Sequence, residues 1–292
     1  GLITIEDLNN YKVYERDPLY HELMDSIFYT NPSPSVGGTL IIFFLRMLCY
    51  IDQSYKLSYN RLIKLMAATA KARTDFYIDP NNDTSLNQLL NDDIVKKYAE
   101  FSKGNILQNY NDFNDNGLGS TTHVSVLDKD GNAASITTTN GESCGHILPD
   151  TGIILNNMLG EQDLNPLGFH KWNQTKRMPT LISPSLLIDK SGKVDIVIGS
   201  AGSNRIRSAI IQVMNNYIFK KMSLKKSVYE PRLHLEEDCL HFEPGIIIDN
   251  KLANDIKINS FKDINLFFGG VNAVTSTEAI ADPRRGGIGL EC

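Results

Sequence analysis

Cysteine is scarce in this chain. Four occur in 292 residues, at positions 49, 144, 239 and 292, and no two form a C-x-x-C pair. Thiols so scattered read as neither a disulfide framework nor a zinc site, and they leave the redox compartment open. Basic residues are not in excess either. With 29 Lys and Arg against 34 Asp and Glu, the net charge is −5, which argues against the cationic footprint that nucleic-acid binding requires. No long hydrophobic run exists. The most apolar stretch, residues 40–50 (LIIFFLRMLCY), carries Arg46 inside it and is about half the length a membrane-spanning helix needs, so it reads as a buried helix. Internal repeats and low-complexity tracts are absent. What is present, 41% hydrophobic and 22% charged residues, is the composition of an ordinary globular protein and excludes a disordered chain. The length allows one large domain or two average ones, with a substantial core. Residue 1 is Gly, so a preceding segment is expected, and the lack of a signal peptide decides nothing.

Thr4 with Asp7 three positions on reads as a capping box opening a short helix. Residues 31–38 (NPSPSVGG) form a stiff loop that runs into an apolar helix from Thr39, its glycines allowing close backbone approach. Leu62, Leu65, Met66 and Ala70 recur at helical spacing within residues 57–72. Residues 79–120 are rich in Asn and Asp and read as an exposed connection. From Thr121 the pattern turns to strands. Residues 122–127 and 133–139 flank a D-G turn and predict a hairpin. Further strands are expected at 152–157, at 181–189 and 194–199 as a second hairpin, and at 240–248 and 273–277. A helix is expected over 204–221, with Ile206, Ile210, Ile211, Met214 and Ile218 on one stripe. The mixture points to an α+β fold with helices layered on antiparallel sheets.

Several segments carry chemistry. Gly119-Ser120-Thr121-Thr122-His123 delivers a threonine to the start of a strand. Cleavage of the Ser120–Thr121 bond would free an α-amine beside the Thr121 hydroxyl. With a pKa of about 7.7–8.0, that amine can serve as base for its own hydroxyl. Gly141-Glu142-Ser143-Cys144-Gly145 matches G-x-S-x-G, which would make Ser143 a nucleophile if a strand, sharp turn and helix surrounded it; the Pro149 and Gly152 that follow interrupt any helix. The turn at residues 199–205 (GSAGSNR), from strand end to helix start, aims backbone N–H groups where an oxyanion could sit. Residues 234–241 (HLEEDCLH) offer metal-ligand types without a zinc spacing and read as a solvated turn.

Taken together and in order, these segments resemble the γ-glutamyltranspeptidase family. Residues 121–132 (TTHVSVLDKDGN) look like the opening of that family's small subunit. Residues 1–11 (GLITIEDLNNY) resemble a stretch within its large subunit, and residues 32–38 (PSPSVGG) its proline-serine-glycine loop. Residues 152–157, 183–184, 199–206 and 282–284 follow in the family's order. The resemblance implies an αββα sandwich of the N-terminal-nucleophile hydrolase type, made as a precursor that cuts itself. Residues 1–120 would be the C-terminal portion of the large subunit and 121–292 the small subunit, the two forming a heterodimer. Thr121 would be the nucleophile and Ser120–Thr121 the bond cut. Thr139 would hydrogen-bond the nucleophile, and Gly202 and Ser203 would form the oxyanion hole. Glu161 would hold a substrate α-amino group, and Thr180 and Asn140 would be further substrate contacts. The implied activity is hydrolysis or transfer of γ-glutamyl groups from glutathione-like amides, with no cofactor and no metal, in a periplasmic or extracellular setting.

Departures from the family pattern shape the expectations. The oxyanion loop, usually Gly-Gly, is Gly202-Ser203, so Ser203 must tolerate the local backbone. Thr180-Leu181 stands where two serines are common, and residues 140–142 replace a segment that often carries a substrate-binding Asn. The stretch between Glu161 and Ser183 is shorter than in members with a long lid, which favours hydrolysis over transfer. The long N-terminal part with a carboxylate-gripping arginine has no counterpart here. Two alternatives stand beside this reading: a non-catalytic or incomplete portion of the fold, and a serine hydrolase using Ser143.

Overall fold

The computed structural model describes residues 4–55, 57–76, 88–104, 120–165, 168–173, 176–236, 238–249 and 256–291. Helix α1 (Ile5–Asn10) opens on the expected capping box, with Asp7 N–H donating to Thr4 Oγ1 at 3.2 Å and Thr4 N–H to Asp7 Oδ2 at 2.7 Å. Strands β1 (Leu19–Leu23) and β2 (Ser26–Thr30) pair as a hairpin. Helix α2 (Val36–Ile51) starts earlier than its apolar run, because Val36 N–H finds an acceptor outside the helix, the Thr180 carbonyl at 2.8 Å. Helix α3 (Tyr59–Asp75) is capped by Ser58.

The polar stretch at 79–120 is not all connection. Helix α4 (Asp92–Phe101) forms inside it, capped by Asn91 and burying Val95, Tyr98 and Ala99. Three apolar residues on one face suffice once α2 and α3 supply a surface; the polar composition hid them. The remainder of that expected connection, 79–87 and 105–119, lies outside the described residues.

Strands β3 (Thr121–Leu127) and β4 (Ala133–Thr139) form the predicted hairpin, as do β5 (Ser185–Asp189) and β6 (Val194–Ala201). Helix α5 (Arg205–Met214) runs into a π-helical turn (Asn215–Phe219), together covering the apolar stripe read from the sequence. Helix α6 (Leu224–Tyr229) and strands β7 (Leu233–Glu236), β8 (Cys239–Phe242), β9 (Lys257–Ser260), β10 (Gly270–Val274) and β11 (Ala279–Ile280) complete the described elements. Three expected strands differ. The one expected at 273–277 is β10, which ends at Val274 and begins three residues earlier, at Gly270. Residues 152–157 contribute only a single bridge, Ile154 to Ile147, since Gly152 at φ +68° bends the chain. Strand β8 stops at Phe242, where Glu243 turns inward to pair with Arg284. Of residues 234–241, read as a solvated turn, 234–236 instead belong to the fully buried strand β7; Glu236 is neutralised by Arg205 at 3.3 Å.

The main sheet runs β1-β2-β5-β6-β10-β11, with antiparallel pairing throughout. Helices α2, α3 and α5 pack together on one of its faces, around Leu40, Phe43, Ile63, Ile196 and Ile210, each 0% exposed. Burying such side chains contributes roughly 1.5–3 kcal/mol apiece. The β3–β4 hairpin covers the other face, so β6 is buried on both sides. The contact between the two sheets is polar. Ser135 Oγ donates to the Ile198 carbonyl and Ser125 Oγ to the Asn272 carbonyl, both at 3.1 Å. His123 lies against Gly199, where an added Cβ would come within 2.2 Å of its ring. The outward hairpin face carries Val124, Val126 and Ile136, about half exposed. The described residues thus supply a helical layer and two sheet layers of the expected α+β sandwich.

Candidate active site

Thr121 and Thr139 face each other across the β3–β4 ladder. Asn140 N–H donates to the Ser120 carbonyl, so the next pair inward, Thr121 with Thr139, is a non-hydrogen-bonded one, the kind that brings side chains closest. Thr121 Oγ1 donates to Thr139 Oγ1 at 3.1 Å, and Thr139 Oγ1 also accepts from Gly141 N–H at 3.0 Å. Thr121 is 9% exposed, enough for a hydroxyl to reach a cleft.

Beyond β4 the chain turns sharply at Gly141, φ +68°. Any other residue would strain this backbone and displace two side chains, since a Cβ would lie 2.2 Å from Glu161 Oε1 and 2.5 Å from Asn157 Oδ1. Asn157 Oδ1 accepts from Glu142 N–H at 2.7 Å, and Asn157 N–H donates to the Asn140 carbonyl. These bonds bring the loop carrying Glu161 against the end of β4.

Thr180 is held from the opposite side. Its carbonyl accepts from Val36 N–H at the start of α2 and from Ser35 Oγ at 3.1 Å; Ser35 Oγ also contacts the Ile182 carbonyl at 2.8 Å. Residues 181–183 press so closely on α2 that a Cβ on Gly37 would meet Leu181 O at 2.2 Å and Ser183 Oγ at 2.3 Å. The PSPSVGG loop is therefore a helix start built to receive another segment's carbonyls.

The 199–205 turn links β6 to α5. Gly202 has φ +124° and Ser203 φ +51°. A Cβ on Gly202 would stand 2.7 Å from Gly269 Cα. Ser203 adopts the left-handed backbone that the Gly-to-Ser departure demanded, at a cost of about 1–2 kcal/mol. Gly269 and β10 are anchored in turn by a buried ionic cluster. Asp282 accepts from Val271 N–H at 2.8 Å and pairs with Arg232 at 2.6 Å and Arg284 at 3.2 Å; Arg284 also meets Glu243. Burial raises the Asp282 pKa, but the two guanidiniums outweigh it and hold the carboxyl below its usual range.

Thr121, Thr139, Glu161, Thr180 and Ser203 line one cleft, whose remaining wall is mainly Met158, Leu164, Leu181, Ile182 and Ile206. Five of the predicted site residues thus converge from four chain segments. Gly202 and Asn140 adjoin this lining without belonging to it. Ser143 stands apart, at φ +74° in a turn with its Oγ accepting from Gly145 N–H. No helix follows it directly; the next helical residues are the short turns Met158–Gly160 and Gln162–Leu164, so the nucleophile-elbow context is missing. The sequence marks the PSPSVGG glycines for a close backbone approach, which Gly37 makes; it does not mark the roles of Ser35 and Asn157, which arise from contacts some 15 to 150 positions away. Among the described residues, no three His, Cys, Asp or Glu side chains gather where a metal ion could sit, and no helix is long and apolar enough to cross a membrane.

Helices on one face of an antiparallel sheet, a second sheet on the other, and a strand-initial threonine in a cleft at the sheet ends define an N-terminal-nucleophile-type α+β fold. The γ-glutamyltranspeptidase family model matches residues 1–292, and the chain belongs to that family. It is 29% identical over 321 residues to the glutathione hydrolase proenzyme of Pseudomonas aeruginosa, covering 99% of this chain and 57% of that protein. It is 30% identical over 288 residues to the capsule biosynthesis protein CapD proenzyme of Bacillus anthracis, covering 94% of this chain and 52% of that one. The chain therefore spans about half the length of these curated relatives. The crystal structure of cephalosporin acylase from Bacillus halodurans superposes on 97% of this chain and 54% of its own with a TM-score of 0.74 at 19% identity, a likeness of fold.

Proposed function

We propose that the chain is the catalytic part of a self-processing γ-glutamyl hydrolase or transferase in which Thr121 is the nucleophile. One observation carries the reading: the Thr121 hydroxyl, first in its strand, bonds to Thr139 at 3.1 Å and lines a cleft with Glu161, Thr180 and Ser203. Self-cleavage at Ser120–Thr121 would divide the chain into residues 1–120 and 121–292, portions of a large and a small subunit. The new α-amine would take the hydroxyl proton as Thr121 attacks the substrate's γ-carbonyl. Backbone amides at Gly202 and Ser203 would stabilise the oxyanion, a contribution of ~3–4 kcal/mol per donor in comparable sites. Glu161 would pair with the substrate's α-ammonium group, and Thr180 would offer a hydroxyl to its carboxylate. Two relatives are named for glutathione hydrolysis and capsule biosynthesis, so a γ-glutamyl amide of the glutathione kind is the substrate to test first, with water favoured over an amine as acceptor.

The test is intact mass under denaturing conditions. Wild type should yield two pieces, the second beginning at Thr121, and Thr121→Ala should stay whole. If wild type is never cut, or Thr121→Ala is cut at the same bond, Thr121 is not the nucleophile of self-processing.

A further inference from the structure

The carbonyl that Thr121 would attack has its own hydrogen-bond donor. Ser120 extends β3 by one residue opposite Asn140, and Asn140 N–H points to the Ser120 carbonyl oxygen at 3.4 Å. A regular antiparallel pair would exchange two bonds. Here Ser120 N–H goes instead to the Gly141 carbonyl, while the Asn140 carbonyl is occupied by Ser143 N–H at 3.0 Å and Asn157 N–H at 3.1 Å. The left-handed turn at Gly141 opens the pair and leaves one long bond, the one to the scissile carbonyl.

We infer that the Asn140 backbone N–H is the oxyanion donor of the self-cleavage step, a role separate from the amides at Gly202 and Ser203. The inference rests on the reading of Thr121 as nucleophile. In that step Thr121 Oγ1 bonds to the Ser120 carbonyl carbon and the carbonyl π pair moves onto the oxygen, which faces Asn140 N–H. The hydroxyl proton passes to the Thr121 nitrogen as the C–N bond breaks and the carbonyl re-forms. This leaves an ester between Ser120 and Oγ1 and a free α-amine. Water then hydrolyses the ester to the Ser120 carboxylate and the Thr121 hydroxyl. A bond of 3.4 Å is long for a ground-state carbonyl. As the carbon turns tetrahedral, the C–O bond lengthens toward the donor and the oxygen gains charge, so the same N–H binds the transition state better than the peptide. Only such a gain accelerates the step. Asn140, read from the sequence as a substrate contact, acts here through its main chain.

The experiment replaces the N–H with oxygen. The full chain is made by cell-free translation with the α-hydroxy analogue of asparagine at position 140, and cleavage is followed by intact mass. The rate should fall by about 10²-fold or more, as for other oxyanion donors. An ester at Ala134, which faces Val126 in the same kind of pair, should leave the rate unchanged and so separates chemistry from loss of one ladder bond. Asn140→Pro removes the same donor by a second route. Wild-type cleavage rates in both the position-140 ester and Asn140→Pro, or equal slowing by the Ala134 ester, overturn the inference alone. A wild-type chain that never cuts overturns it together with the Thr121 reading.

Discussion

Thr121 Oγ1 donates to Thr139 Oγ1 across 3.1 Å, and Thr139 Oγ1 accepts a second bond from Gly141 N–H at 3.0 Å. The second hydroxyl therefore fixes the direction of the first and ties it to the turn that carries Glu161. Removing it should disturb orientation more than stability. Thr139→Ala should slow self-cleavage at least tenfold while costing about 1 kcal/mol of stability; Thr139→Ser should restore most of the rate. Mass time courses beside thermal unfolding check this, and an Ala variant cleaving at the wild-type rate would contradict it.

Ser203 sits at φ +51°, where a side chain is penalised and glycine is not. Ser203→Gly should raise stability by about 1 kcal/mol in urea unfolding. Ser203→Val should lower it by more than Ser203→Gly gains, because a β-branched residue tolerates positive φ least. A Gly variant less stable than wild type would mean that the serine side chain contributes more than its backbone costs.

The sequence made the local parts of this fold readable. Thr4 with Asp7 gave the first cap, the D-G turn gave the β3–β4 hairpin, and the Ile206–Ile210–Met214 stripe gave α5. Each depends on residues a few positions apart. Helix α4 escaped because its three buried residues are diluted among Asp, Lys and Glu, and only α2 and α3 reveal the face they share. Buried strand β7 escaped because the charges of Glu236 and Arg205 suggest solvent until each is seen to neutralise the other. At the site, the ordered resemblance supplied Thr121, Thr139, Glu161, Thr180 and Ser203. It matched residues 32–38, whose glycines leave room for a close approach, but not the segment that approaches, since nothing near position 37 says that Leu181 will lie on it.

That contact is testable. Gly37→Ala places a Cβ 2.2 Å from the Leu181 carbonyl oxygen, a backbone atom with no rotamer to yield. The cost should be about 3 kcal/mol, the upper part of the range for overpacking. Gly145→Ala is the control: its Cβ would meet nothing within 4 Å, and only its φ of +72° is unfavourable, so it should cost about 1 kcal/mol. Chemical denaturation of the two variants should rank them in that order. Equal losses would mean that residues 181–183 move away from α2 freely.

The outward face of the β3–β4 hairpin exposes Val124, Val126 and Ile136 by 50%, 49% and 54%. Grouped apolar residues of this kind favour association. Changing all three to threonine keeps the β-branched shape the strands prefer and should lower self-association in light scattering without altering the hairpin's inward contacts. Unchanged association would place the adhesive surface elsewhere.

His123 lies on the inward face of β3, 2% exposed, with its ring nitrogens at 2.7 Å from Thr137 Oγ1 and 2.8 Å from Ser125 Oγ. Burial lowers its pKa to about 4, against roughly 6.5 in an unfolded chain. Between those values the unfolded state binds a proton that the native state refuses. Stability is therefore full above pH 6.5 and falls as the pH drops toward 4, by on the order of 3 kcal/mol from this residue. His21, lowered to about 4 by burial and by Arg46, and His234, held well below the usual histidine range by burial and neighbouring arginines, act in the same direction. His123→Gln should flatten the dependence of unfolding free energy on pH by up to one proton across that window, whatever it does to stability at neutral pH. The check is a set of urea melts from pH 4 to pH 7 on both proteins. An unchanged slope would mean that His123 is charged in the folded protein, with both ring N–H groups donating hydrogen bonds to its two hydroxyl neighbours.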